Sequence, residues 1–160
     1  MASMTWDDLT ISLSHLDINE LIDSWGWLIG DDIKPLLVSA IGDVFFERSS
    51  GLVFWLDTGS AKVTEVAKTA QEFKLKLSKT DNVDEWFLPH LIEELRYQRK
   101  LLKAGQVYSY DHPPNLGGAY QADNLRPTNL SVHLSIHGQI GEQIRDLPDG
   151  ADISIAIDET

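Results

Sequence analysis

The residues of this chain best able to do chemistry are two histidines, two pairs of aspartates and one glycine pair. His133 and His137 stand four apart in the run Ser131-Val132-His133-Leu134-Ser135-Ile136-His137. Read as a strand, that run puts both on one face with side chains about 13 Å apart, too far to share one metal. No glutamate lies between them as in a zinc-protease helix, so two half-exposed sheet residues are expected. Asp31 and Asp32 adjoin a turn that carries Trp25 and Trp27. An adjacent acid pair can take a divalent ion, but capping of the next element accounts for it more simply. Asp43 and Asp57 sit beside Gly42 and Thr58, where turn formation explains both. No Gly-x-Ser-x-Gly run places a serine on a nucleophile elbow. Gly117-Gly118 has neither a phosphate-loop lysine nor Rossmann spacing. With no cysteine in the chain, disulfides, thiol nucleophiles and cysteine-based metal sites are excluded. These residues compose no catalytic set, and no metal or cofactor is expected.

The elements that position them follow from periodicity and turn chemistry. Thr5 to Ser14 reads as a short helix capped by Thr5. Asp17, with Glu20 three residues on, opens a stronger helix whose apolar face is Ile18, Leu21, Ile22 and Trp25, with Gly26 as its stop. Leu36 to Phe46 reads as a buried strand broken at Gly42. The turn Arg48–Gly51 leads to the return strand Leu52–Leu56, and Lys62–Val66 makes a third. Thr69, with Glu72 three residues later, starts a helix to about Lys79. Asp84 to Lys103 is a longer helical stretch, with Pro89 tolerated near its start and Gly105 closing it. Gln106–Tyr110 and Val132–His137 read as strands, Gln139–Asp146 as a short helix, and Leu147-Pro148-Asp149-Gly150 as a turn. Ile153, Ile155 and Ile157 alternate in a closing strand. His112 to Gly118 is irregular. The expectation is one α+β domain over 1–160, mainly an antiparallel sheet with hairpins packed against several helices. Its 160 residues suffice for a core without staples. Phe45 and Phe46, like Phe54 and Trp55, point to opposite faces, so each pair can serve two layers, or one layer and a partner.

Net charge is −12, from 25 acids and 13 bases, and its placement says more than its total. Residues 1–35 carry seven acids against Lys34, and 139–160 carry six against Arg145. The middle is almost neutral. Direct binding of nucleic acid is disfavoured, because phosphate neutralisation needs clustered Lys and Arg. Solubility is one explanation of the acidity; attraction of a basic partner is the other, and it requires both ends to fold onto one face. The start is neither basic nor continuously apolar, and apolar runs reach only about five residues, so no signal peptide, no membrane span and a cytoplasmic protein are expected.

Several segments resemble one bacterial family. They are Leu36–Phe46, Gly51, Leu56-Asp57-Thr58, Glu85-Trp86-Phe87, Gly105-Gln106-Val107-Tyr108 and Pro114-Asn115-Leu116-Gly117-Gly118. Asn124, Gly138-Gln139-Ile140 and Leu147-Pro148-Asp149-Gly150 complete the set. Together, from about Trp25 to Ile155, they are similar to the C-terminal domain of Tdi-type immunity proteins of type VI secretion systems. The resemblance implies a stoichiometric inhibitor of a cognate toxin, in the founding case a DNase effector, and not an enzyme. The founding proteins carry a further domain ahead of this one that finds no counterpart here, which leaves the choice of toxin open. A basic toxin would meet the acidic ends, with Asp31, Asp32, Asp146, Asp149 and Trp27 as the candidate contact residues. The alternative is a small-ligand or regulatory module with its pocket at Tyr110–Gly118. A hydrolase that reverses toxin damage is a third reading, with no constellation behind it. Oligomeric state is not legible.

Overall fold

The computed structural model describes residues 4–14, 16–148 and 150–157. Its centre is an antiparallel meander in chain order: β1 (Thr10–Ile11), β2 (Lys34–Ser39), β3 (Val44–Glu47), β4 (Val53–Asp57) and β5 (Lys62–Ala67). The break expected at Gly42 is a full reversal. Gly42 takes φ +83°, and β2 and β3 fold back with Val38 opposite Val44 and Leu37 opposite Phe45. Only glycine adopts that backbone region without strain. The next hairpin turns at Arg48–Gly51 as expected and sets Phe45 opposite Trp55 and Phe46 opposite Phe54.

Period-two alternation divides these aromatics between two cores. Phe45 and Trp55 face α4 (Ala70–Lys76), α5 (Thr80–Phe87) and α6 (Pro89–Tyr97). The Phe45 ring lies within 5.2–6.2 Å of Phe73, Phe87, Trp86 and Trp55. Phe46, Val44 and Leu56 face the other way, onto Trp25, Ile29, Leu130 and Leu134. That layer is made by α2 (Ile18–Leu21), α3 (Gly26–Ile29) and α7 (Leu130–Ile144). A short helix, α1 (Trp6–Leu9), precedes the sheet, and a separate hairpin pairs β6 (Gln106–Tyr110) with β7 (Leu125–Asn129). The fold is α+β with antiparallel sheets, as read from the sequence. β7 had no counterpart in that reading; it carries Pro127, which an unpaired strand edge accommodates.

Four expectations, two of helices and two of strands, are corrected. Gly26 does not stop a helix: after a 3-10 turn at Asp23–Trp25 it opens α3, and the stop is Gly30 at φ +69°. The stretch from Asp84 to Lys103 is the end of α5 followed by α6, parted at Leu88 with φ 49°, and helix ends at Tyr97. The ring of Pro89 disfavours helical geometry at the residue before it, so the helix breaks at Leu88, which is left-handed, and restarts with Pro89 first. Val132–His137 is not a strand but the first half of α7, which also absorbs the short helix expected from Gln139. Its β-branched residues suggest strand, yet Leu130, His133, Leu134, His137, Gly138, Ile140 and Gly141 are the buried ones, a helical period that packing enforced. Ile153–Ile157 forms no strand; Gln143 holds it by accepting from the Ala156 N–H at 3.0 Å and donating to its carbonyl. Thr69 caps α4 as expected, accepting from the Glu72 N–H at 3.0 Å.

The aromatic cluster yields a direct test. Phe45→Ala should lower unfolding free energy by about 3–5 kcal/mol. Leu75→Ala, at a residue 66% exposed, should change it by no more than about 0.5 kcal/mol. Urea denaturation of the two variants measures both.

Candidate functional site

Where the β2–β3 turn meets the end of β4, Asp43 is wholly buried and acts as the acceptor of a polar chain. Its Oδ1 accepts from the Thr58 N–H and hydroxyl, both at 2.9 Å, and its Oδ2 from Trp55 Nε1 at 3.0 Å. Thr58 Oγ1 lies 2.9 Å from His133 Nε2. His133 Nδ1 lies 2.7 Å from Ser109 Oγ, which is 3.2 Å from His137 Nε2. The sequence expectation for the histidines is therefore overturned. On a helix they stand one turn apart, with ring centroids 4.5 Å from each other, and both are buried. Asp43 likewise does more than make a turn, whereas Asp57 does what was expected, its Oδ1 accepting from the N–H groups of Gly59 and Ser60. Gly42 matters twice: a Cβ there would lie 2.2 Å from His133 Nε2.

Burial governs the electrostatics. It pushes the Asp43 carboxyl well above the usual range, with Asp57 adding to the effect and the hydrogen bonds from Thr58 and Trp55 opposing it. It holds His133 well below the ordinary imidazole value, helped by His137, and brings His137 down to about 4. With both imidazoles neutral, one proton arrangement satisfies every member. His137 Nε2–H donates to Ser109, Ser109 to His133 Nδ1, His133 Nε2–H to Thr58, and Thr58 to ionised Asp43. A proton taken up by Asp43 reverses each of these bonds and satisfies the chain again. His133 and Asp43 are each only 1% exposed and Ser109 sits in a regular strand, and the arrangement ties α7, β6 and the β2–β3 turn together. Among the described residues no group of three or more acidic or histidine side chains is set to hold a metal.

The irregular segment after β6 wraps this core. Asn124 clamps it, donating to the carbonyls of His112 and Ala119 and accepting from the His112 N–H, all at 2.8–2.9 Å. Gly118 is required by close approach, since a Cβ would meet the His112 carbonyl oxygen at 1.7 Å. The Asn115 N–H donates to the Gly59 carbonyl at 3.1 Å. Two clefts flank the segment. One, of about 640 Å³, is lined by Ser109, His137, Arg126 and Asn129. The other, of about 760 Å³, lies among Trp27, Ser60, Asn115 and Arg145.

The five candidate contact residues fare differently. Trp27 is half-buried; its Nε1 donates to the Gly138 carbonyl at 3.1 Å, its ring stacks on Trp25, and the Arg145 guanidinium lies 5.6 Å from the ring centroid. Asp146 is exposed and pairs with that same Arg145 at 3.5 Å, so the structure brings Trp27 and Asp146 together. Asp31 is exposed beside Asp23, Gly26 and Gly30. Asp32 caps, but a turn and not a helix: its carboxylate accepts from the Ser49 N–H at 3.1 Å and hydroxyl at 2.8 Å. Asp149 lies outside the described residues. α7 packs on the N-terminal helical segment, its Gly138 against Ser24, while Ser24 Oγ donates to the Leu134 carbonyl. Asp8 belongs elsewhere, paired with Arg96 of α6. Sequence reading missed Asp43, Ser109, His133 and His137 as one network; the available signal was the four-residue spacing of the histidines amid Leu130, Leu134 and Gly138, a helical face.

Residues 67–141 match the family described as T6SS immunity protein Tdi1, C-terminal. That is the family the motifs resemble, although the motifs extend from about Trp25 to Ile155 and the match begins at Ala67. The matched family is one of type VI secretion immunity proteins. The fold is similar to the crystal structure of Atu4351 from Agrobacterium tumefaciens, at 20% identity and a TM-score of 0.48, over 78% of this chain and 62% of that one. The chain thus spans about three-fifths of that protein's length. No curated protein matches it.

The buried histidines set a pH dependence. Because His137 titrates at about 4 in the folded state and near its ordinary 6.5 when unfolded, the unfolded chain binds the extra proton first. Its contribution is complete above pH 6.5 and is lost as pH falls towards 4, about 3 kcal/mol in all. His133 acts in the same direction and Asp43 in the opposite one. Urea denaturation of wild type and His137→Gln at pH 7 and pH 4 isolates the term: the stability advantage of wild type should shrink by that amount at pH 4. An equal gap at both pH values would contradict it.

Proposed function

We propose that this chain, through the immunity family matched over residues 67–141, is a cytoplasmic immunity protein that neutralises a cognate type VI toxin by stoichiometric binding. In this reading residues 1–160 act as one domain, and the toxin is a nuclease whose substrate site is basic. The observation that carries the reading is the packing of α7 on residues 18–27, which joins one element from each of the two acidic stretches of the sequence. Asp31 and Asp146, both exposed, are then available to a basic surface as substitutes for phosphates, with Trp27 linked to Asp146 through Arg145; Asp149 lies outside the described residues and joins them on its sequence position alone. Asp32 is the weakest of the five, since its carboxylate is already held by Ser49. No helix among the described residues is long and apolar enough to cross a membrane.

A small-ligand module is the second reading, favoured by the two clefts that flank the segment Tyr110–Gly118. A small molecule that co-purifies with the chain and raises its Tm, without any effector complex, would favour it over inhibition.

Co-expression with the effector encoded beside this gene tests the leading reading: growth should be restored and a one-to-one complex recovered. With neither, the immunity reading is sunk. Charge reversal at Asp31, Asp146 and Asp149 should slow association about tenfold at low salt and flatten its salt dependence, as surface plasmon resonance at two ionic strengths would record.

A further inference from the structure

The cleft between the Ser60–Lys62 turn, the Asn115–Gly117 loop and the end of α7 has a chemistry unlike the rest of this surface. In a chain of net charge −12, the charged side chains lining it, among the described residues, are Lys62 and Arg145, both cations. Arg145 is held in place over Trp27 and shares its charge with Asp146. Ser60 and Asn115 line the cleft, and their Oγ and Oδ1 atoms, set just beneath its surface, have no hydrogen-bond partner among the described residues, a condition that Trp25 Nε1 in the core shares. The hydroxyl of Tyr110, a residue only 7% exposed, is in the same condition, and its ring tip borders Gly59 next to both of them. Buried polar groups are almost always met, so three unmet ones around a single turn mark a place built for an incoming partner.

What they would meet is specific. Ser60 offers a donor and Asn115 an acceptor, the pair that one peptide group satisfies. The two cations call for a carboxylate. Leu28, Leu116 and Ile144 supply an apolar wall, which Leu147, 45% exposed, and Ile153, 41% exposed, carry out past the mouth. An apolar rim reaching beyond the cleft suits a polypeptide more than a small molecule. We infer that this cleft seats an acidic peptide segment of the cognate toxin, its main chain on Ser60 and Asn115 and its carboxylate towards Lys62 and Arg145. This rests on the immunity reading. It gives the complex two surfaces of opposite sign: acidic ends that steer association, and a cationic cleft that sets dissociation.

Calorimetry and surface plasmon resonance of the full chain with the neighbouring effector test it. Ser60→Ala combined with Asn115→Ala should weaken binding at least about tenfold. Lys62→Glu combined with Leu147→Asp, both at exposed positions where folding is not at risk, should speed dissociation about a hundredfold and leave Tm unchanged. If wild type binds the effector and both double variants bind as well as it does, the cleft is not the seat, and the immunity reading stands without it. If wild type itself does not bind, both fall. Loss of a co-purified small molecule in these variants, with effector affinity intact, also overturns the peptide assignment.

Discussion

A carboxylate with no water around it must find its hydrogen bonds within the protein, and the fold of this chain is arranged about that demand at Asp43. The partners come from far apart in sequence: Thr58 at the end of β4, His133 and His137 in α7, and Ser109 in β6. Each member is satisfied only while the others stay in place, because an unmet polar group in a low-dielectric interior costs more than the bond it loses. The network therefore fixes how α7 and β6 sit against the β2–β3 turn. A main-chain bond from the Tyr108 N–H to the Ala40 carbonyl, 2.7 Å long, ties β6 to that same turn.

With its first half pinned by the histidines, α7 carries its second half onto the N-terminal helices. Small residues make that approach possible: a Cβ on Gly138 would meet the Ser24 carbonyl oxygen at 2.7 Å, and one on Gly141 would lie 3.0 Å from Trp27. The position of Arg145 over Trp27 and the cleft beside them both follow from this one contact. Not all the acidity serves that region. Asp8 pairs with Arg96 and Asp32 holds the Ser49 turn, so part of the negative charge at the N-terminal end is structural.

Much of the fold was legible wherever local rules are strong. Period-two aromatics, the Arg48–Gly51 turn and the Thr69 cap all stand where residue type places them. Reading failed where local preference and packing disagree. Val132 and Ile136 have the propensity of a strand, but the burial of Leu130, Leu134 and Gly138 makes a helix of that segment. Leu88 shows the same limit from the other side: Pro89 announced itself, but whether it sat near the start of one helix or between two depended on how α5 and α6 pack.

The sequence by itself determined the fold class, the antiparallel hairpins, the family resemblance, the lack of any cysteine chemistry and the division of charge between the ends and the middle. These are properties of composition and of neighbours a few residues apart. Only the tertiary structure decided that Asp43, Thr58, Ser109, His133 and His137 form one buried network, that α7 packs on the N-terminal helical segment, and that a cationic cleft lies between Ser60 and Arg145. Each joins residues dozens of positions apart. No local spacing encodes such a meeting, which comes about when two faces of one sheet must both be covered.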